Sequence, residues 1–255
     1  MRHWLKVWLW VLIGVFIGWL CYEFITFPSI RRLRTENPAT TSLIETRIKE
    51  AQARGQEPMR LQTWVPLEKI SPNLQRAVLA GEDTNFATHH GFDYAAIQRA
   101  WEEAQRESEK EAKQEGDDQS SWIPAMPDFK RGASTITQQL AKNLYLSSQR
   151  SFVRKGREAV ITYFLERELS KPRILELYLN VIEWGDGVYG AEAASQYYFQ
   201  KSASQLSPRE AAYLSAMIPG PLKIFNPRLN PRRVARRQRV ILRGMPAVKL
   251  PQGTG

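Results

Sequence analysis

Gly132-Ala133-Ser134-Thr135-Ile136-Thr137-Gln138-Gln139-Leu140-Ala141-Lys142-Asn143, continued by Leu144, reads as the start and body of one helix. Thr135 and Gln138 stand in capping-box relation, so the helix begins at Ser134 or Thr135. Ile136, Leu140 and Leu144 make its apolar stripe, while Thr135, Gln138, Gln139 and Lys142 share the other side. Such a helix needs apolar partners beneath it and something polar in front of it.

Neighbouring segments supply the partners. Val160, Ile161, Phe164, Leu165 and Leu169 describe an amphipathic helix that Pro172 ends or interrupts, and Ile174, Leu175, Leu177, Tyr178 and Leu179 start the next. Ser207-Pro208-Arg209-Glu210 opens another with a capping pair and an early proline, and Pro219-Gly220-Pro221 closes it. Upstream, Ser71-Pro72 is a helix start, and Leu74, Val78 and Leu79 fall on one face. Gly81 reads as the stop, which puts Glu82 just past a helix C-terminus. Trp184 to Gly190 is too glycine-rich for a helix, and convincing two-residue alternation is absent. The fold class expected is mainly α, with no internal repeat.

A chain of 255 residues with 43% hydrophobic content is long enough for one globular domain with a real core, plus an appendage. The expected division is an N-terminal anchor at 1–27, a proline-containing connector at 28–66 that is helical near Leu43 to Ala53, a domain at 67–245 and a tail at 246–255. Within the domain, 102–130 reads as an inserted segment. Its first part is Glu/Lys/Gln-rich and mostly acidic, and Pro124 and Pro127 mark a mobile loop after it. From Trp4 to Phe27 the chain is almost wholly apolar, interrupted only by Lys6 and Glu23. Roughly 20 such residues span a ~30 Å hydrocarbon core, so the expectation is one transmembrane helix. The stretch is long for a signal peptide and no small-x-small cleavage site follows it. Arg2 and Lys6 precede it while Arg31, Arg32 and Arg34 follow, so charge alone leaves the orientation open.

The net charge of +10 suits nucleic acid, anionic lipid or a phosphorylated substrate. Behind a membrane helix, anionic head groups or a lipid-linked phosphate are favoured and nucleic acid is not. The densest basic segment runs from Arg228 to Arg243 and includes Arg232, Arg233, Arg236, Arg237 and Arg239; it reads as a solvated helix face. The single cysteine, Cys21, lies in the anchor, so the rest of the chain cannot form a disulfide of its own.

Two glutamates flank the opening run. A helix C-terminus and the adjacent Asp83 both disfavour ionisation of Glu82, which suits a general base. Glu158 follows Arg154 and Lys155 by four and three residues, one helical turn away, and these cations favour its carboxylate form. A glycosidase needs a protonated acid for its leaving oxygen. An enzyme that expels pyrophosphate needs cations instead, and Lys142, Arg154, Lys155 and Arg150 are candidates. His89 and His90 have no companion set for a transition metal, and a hard cation would bridge pyrophosphate oxygens to Glu158.

These residues resemble the peptidoglycan glycosyltransferases, glycosyltransferase family 51, and within it the monofunctional single-anchor transglycosylases. The resemblance rests on four motifs in order: Glu82-Asp83-x-x-Phe86-x-x-His89-x-Gly91-x-Asp93, Gly132 to Asn143, Arg154-Lys155-x-x-Glu158, and Arg173-Ile174-Leu175-Glu176-x-Tyr178-Leu179-Asn180. It implies a lysozyme-like helical domain on the outer face of the cytoplasmic membrane, with the N-terminus cytoplasmic and the domain periplasmic. The implied reaction joins lipid II to a growing lipid-linked glycan, releasing undecaprenyl pyrophosphate with inversion to a β-1,4 link. Glu82 would be the base on the acceptor hydroxyl, and Glu158 would assist at the donor pyrophosphate through Mg²⁺ or Mn²⁺, with no organic cofactor. Lys142, Arg154 and Lys155 would bind phosphate, and Gln138, Gln139, Asn143, Ser134 and Thr135 would line the substrate face. Asp83, Phe86 and His89 would support the geometry. Implied partners are lipid II, the glycan, membrane lipids and other cell-wall synthesis and division proteins.

Ala133 departs from the second glycine common in the family, and 102–130 is longer than the family's usual connection. Ser-x-x-Lys and Lys-Thr-Gly patterns do not occur, so transpeptidase chemistry is not expected. A lytic enzyme and an inactive scaffold are the rival readings; the cations beside Glu158 disfavour the first and the retained glutamate pair the second. An acidic insertion is repelled by anionic head groups and should project into solvent. Deleting residues 105–125 is therefore expected to leave lipid II polymerisation by the folded protein in place, as read by polymer length on gels.

Overall fold

The computed structural model describes residues 2–115, 134–146 and 151–252, leaving out the side chains at 2, 3, 5, 9, 16, 19, 20, 24, 104 and 107–115. Gly132, Ala133, Arg150 and the 116–130 part of the insertion lie outside the described residues.

Helices dominate: α1 (Arg2–Ile25), α2 (Ser42–Ala53), α3 (Pro72–Glu82), α4 (Tyr94–Glu115), α5 (Ile136–Tyr145), α6 (Phe152–Glu168), α7 (Lys171–Val181), α8 (Ala191–Phe199), α9 (Pro208–Met217) and α10 (Pro231–Gly244). Their starts follow the capping chemistry of the sequence. Thr135 and Gln138 close a capping box on α5, and Ser207 and Glu210 close one on α9. Pro172 does not break a helix; it sits in the first turn of α7 behind the Ser170 cap, where its missing N–H leaves no intrahelical bond unmade.

The core forms around two helix groups. In one, α5 packs on α6 and α7, burying Ile136, Leu140, Ile161, Leu165, Ile174 and Leu175. In the other, α3 packs on α9 and α10 through Leu74, Val78, Leu214 and Ile241. Gly81 belongs to this second contact and is not a helix stop. A Cβ at Gly81 would lie 2.8 Å from Ser215 Oγ on α9 and 3.2 Å from Ile241 Cδ1 on α10, so the glycine lets three helices close together. As a result α3 continues to Glu82, and Asp83 is its C-cap.

A small sheet was not foreseen. β1 (Leu61–Gln62), β2 (Glu183–Gly185) and β3 (Val188–Tyr189) lie in the order β1-β3-β2, with β1 parallel and β2 antiparallel to β3. Strands of two or three residues are too short to show alternation. The signal that was available is Asp186-Gly187, a two-residue hairpin pair with Gly187 at φ +66°.

The segment read as a connector contributes to the core. Ile30 and Leu33 join it, Ile44 is fully buried, and α2 packs on α5. Asn180 at the end of α7 fastens the segment from the inside: its side chain accepts from Val65 N at 3.0 Å and donates to Val65 O at 2.9 Å. At the N-terminus, α1 is 24 residues long and is seated on α6 by the Arg157–Glu23 ion pair at 3.0 Å and an edge contact of Phe27 with Phe164. Among the described residues, no helix is long and apolar enough to cross a membrane.

Asn180→Ala leaves the Val65 N–H and C=O without their side-chain partner in a partly buried setting. It is expected to destabilise the fold by about 1–3 kcal/mol, read by denaturant unfolding.

Candidate active site

The polar face of α5 divides its labour. Thr135 and Gln138 are buried and close the cap, Gln138 Oε1 accepting from Thr135 N at 3.0 Å and Thr135 Oγ1 accepting from Gln138 N at 3.2 Å, while Thr135 Oγ1 also donates to Gly91 O at 2.7 Å. Gln139, one residue on, is directed at Glu82, donating from Nε2 to Glu82 Oε2 at 3.0 Å. Its Oε1 accepts from the Tyr178 hydroxyl at 2.7 Å, which determines the end of the amide that faces the carboxylate.

The second oxygen of Glu82 is held from α10. Arg237 Nη2 lies 2.7 Å from Glu82 Oε1 and also donates to Gly81 O at 2.8 Å. Burial raises the proton affinity of Glu82 above the ordinary glutamate value, opposed by Arg237, the Gln139 hydrogen bond and Lys142. The direction matches the expectation from sequence, but the cause is enclosure by protein. Asp83 turns away from Glu82; its Oδ2 accepts from Ile136 N at 2.9 Å, and its carboxylate pairs with His89 Nε2 at 2.9 Å. It thereby binds the end of α3 to the start of α5, where the N-terminal dipole favours an anion. Phe86 is fully buried, with Lys171 Nζ 4.4 Å from its ring centre and the His89 ring packed edge-on.

Arg237 was missed by the sequence reading, which assigned the Arg228 to Arg243 segment to a solvated face. Arg232, Arg233, Arg236, Arg239 and Arg243 are exposed. Arg237 is three residues after Val234 and four before Ile241, both buried, so it borders the inner stripe of α10. That spacing was the available signal.

Glu158 is buried on α6. Arg154 Nη1 lies 3.0 Å from its Oε2, and Lys155 Nζ engages Oε1. Lys142 stands open to solvent at the cleft mouth yet is surrounded by protein. Partial desolvation, aided by Arg154 and Lys155, holds its ammonium below the ordinary lysine value, while Glu158 and Glu82 pull it back up. Both oxygens of Glu158 are thus engaged, and among the described residues no cluster of three or more His, Cys, Asp or Glu could hold a metal ion. Among the described residues, side chains alone do not build a resident metal site.

Two adjoining cavities result. The larger, about 550 Å³, is lined by Ser134, Gln138, Gln139, Lys142, Asn143, Arg154, Lys155 and Glu158, with Arg47, Glu183 and Pro219 at its far walls. The smaller, about 190 Å³, is lined by Glu82, Asp83, Asn85, Asp93, Arg99, Ser134 and Thr135. Ser134 borders both. A carboxylate of raised proton affinity therefore faces one cavity while a cluster of cations faces the next.

The transglycosylase family matches this chain over residues 49–116 and 120–246. The chain belongs to that family. Among curated relatives, the "Biosynthetic peptidoglycan transglycosylase" of Thiobacillus denitrificans is 44% identical over 233 residues, covering 91% of this chain and 92% of that protein. Proteins of the same description from Paraburkholderia xenovorans and Dechloromonas aromatica are 42% and 40% identical over 240 and 249 residues; they cover 93% and 98% of this chain and 90% and 98% of their own lengths. The matched region includes the whole lining of the smaller cavity, the larger cavity of the transglycosylase apart from Leu43, Thr46 and Arg47, and α10 with its Arg237.

If the larger cavity is built for a diphosphate, inorganic pyrophosphate should bind in it. Arg154→Gln is expected to weaken that binding about ten-fold or more in isothermal titration, and high salt should weaken wild-type binding.

Proposed function

We propose that this transglycosylase is a peptidoglycan glycosyltransferase that polymerises lipid II into β-1,4-linked glycan, without transpeptidase activity. The observation that carries the reading is the junction at Ser134, where the cavity of Glu82 meets the cavity of the cations. An acceptor in the smaller cavity presents its 4-hydroxyl to Glu82, which takes the proton. The hydroxyl oxygen then attacks the anomeric carbon of the donor, whose bond to undecaprenyl pyrophosphate breaks on the opposite side, giving inversion. The departing pyrophosphate is already a stabilised anion, so Lys142, Arg154 and Lys155 neutralise it and no protonated acid is required. Gln139 and Ser134 lie where the two sugars would meet, and Asn143 lines the donor side.

A divalent cation, Mg²⁺ or Mn²⁺, would add charge stabilisation to the pyrophosphate. Glu158 is the protein carboxylate closest to that task in the cationic cleft, and the half-exposed Lys155 would have to yield its oxygen.

We also propose that α1 anchors the enzyme in the cytoplasmic membrane, with the N-terminus cytoplasmic and the domain periplasmic. The support is the sequence: within α1, the stretch from Trp4 to Ile25 carries only Lys6 and Glu23 as charges. A helix of its length reaches about 36 Å, enough for the hydrocarbon core. The substrate chemistry supplies the orientation, since lipid II is polymerised outside the cytoplasm.

The test incubates the purified protein with labelled lipid II, detergent and a divalent cation, and measures polymer length. Wild type is expected to make polymer, and Glu82→Gln to lose activity by about 10²–10⁴. Because burial raises the proton affinity of Glu82, the rate should climb with pH as that proton is lost, with its acidic limb above the ordinary glutamate range. Fragments released from finished peptidoglycan in place of polymer would overturn the reading.

A further inference from the structure

We propose that Arg237 is the positioning residue of the general base: its guanidinium holds the Glu82 carboxylate in place and in its proton-accepting form. This rests on the reading of Glu82 as the base, and it assigns a role to a residue outside the four sequence motifs.

The geometry is that of a bolt between helices. One nitrogen, Arg237 Nη2, spans the end of α3 by bonding both Gly81 O at 2.8 Å and Glu82 Oε1 at 2.7 Å. The guanidinium carbon lies 5.5 Å from the Phe225 ring centre, so the group is backed by an aromatic ring. The Glu82 side chain is 9% exposed and that of Arg237 27%, so water screens the pair far less than it would a surface ion pair. Close approach of α10 depends on Gly81, where any side chain would meet Ile241 and Ser215. The other groups around Glu82 are Gln139 and Lys142 on α5, Tyr178 on α7, and Asp93 and Arg99 at the smaller cavity. Of these, Gln139 is neutral and Tyr178 is held protonated by burial, while the neighbouring Asp83 is committed to His89 and Ile136. Arg237 is the cation in direct contact with the carboxylate.

Two consequences separate this role from mere packing. Removing the charge leaves Glu82 enclosed with less to oppose protonation, so the base is lost at a higher pH. Retaining the charge with a different shape should preserve the pH dependence while lowering the rate, because the carboxylate is less well aimed.

The experiment compares wild type, R237Q, R237K and E82Q as full-length proteins in detergent, using labelled lipid II across a pH series, with thermal melting as a folding control. In R237Q the acidic limb of kcat/KM is expected to move to higher pH. At neutral pH the rate should fall about ten-fold or more and recover in part as pH rises, with KM changed by less than about three-fold. In R237K the limb should stay at the wild-type position with a reduced rate, and this variant carries the test alone where R237Q does not fold. An unmoved limb with a uniform loss in R237Q, a displaced limb in R237K, or a rise in KM as the main effect would overturn the inference. Activity retained by E82Q would sink the base assignment itself, whereas an inactive E82Q with an unmoved limb in R237Q would sink only the role of Arg237.

Discussion

Enclosing an ionisable carboxylate in protein is costly unless opposite charge and hydrogen bonds offset the lost water. Glu82 is enclosed, and the offset comes from separate helices. Arg237 reaches it from α10 and Gln139 from α5, while Tyr178 on α7 holds Gln139 in the required orientation. Each of these helices must be placed to within a hydrogen bond of the end of α3. Gly81 and the Asp83 cap carry out that placement, the first by letting α9 and α10 approach and the second by bonding the N-terminus of α5.

The same requirement makes the two glutamates unequal. Glu82 has one cation in direct contact and lies in the smaller cavity, whereas Glu158 is gripped by two cations one turn earlier on its own helix. Lys142 is felt by both carboxylates, so the charges of the two cavities are coupled through α5. A proton acceptor beside a nest of cations suits a reaction in which a hydroxyl is deprotonated and an anion departs. Hydrolysis of a sugar ether would call for a second carboxyl group free to give a proton to the leaving oxygen, whereas both oxygens of Glu158 are engaged by Arg154 and Lys155.

Much of the fold could be read along the chain because it is encoded locally. Capping boxes at Thr135 and Ser207, the early prolines at 72, 172 and 208, and apolar stripes of period near four are properties of a few neighbouring residues. Features that failed to appear have no local signature. Two-residue strands lack room for alternation, and a glycine near a helix end looks alike whether it stops the helix or admits a neighbour. The segment at 28–66 looked like a connector because its buried residues, Ile30, Leu33 and Ile44, are sparse among polar ones. Only the helices that cover them reveal the burial.

The sequence by itself determined the helical class, the family motifs, and the pairing of Glu158 with Arg154 and Lys155, since helical pitch brings residues three and four apart together wherever the helix forms. It also supplied both glutamates and the amides between them. Tertiary structure alone decided that the arginine bordering the inner stripe of α10 meets Glu82, that Asp83 faces α5 and His89, and that Gln139 is directed at the base while Thr135 and the Gln138 amide oxygen cap α5. It also decided why Glu82 holds its proton more tightly. Desolvation and contacts between residues 155 positions apart depend on how helices pack, and no local pattern carries that information.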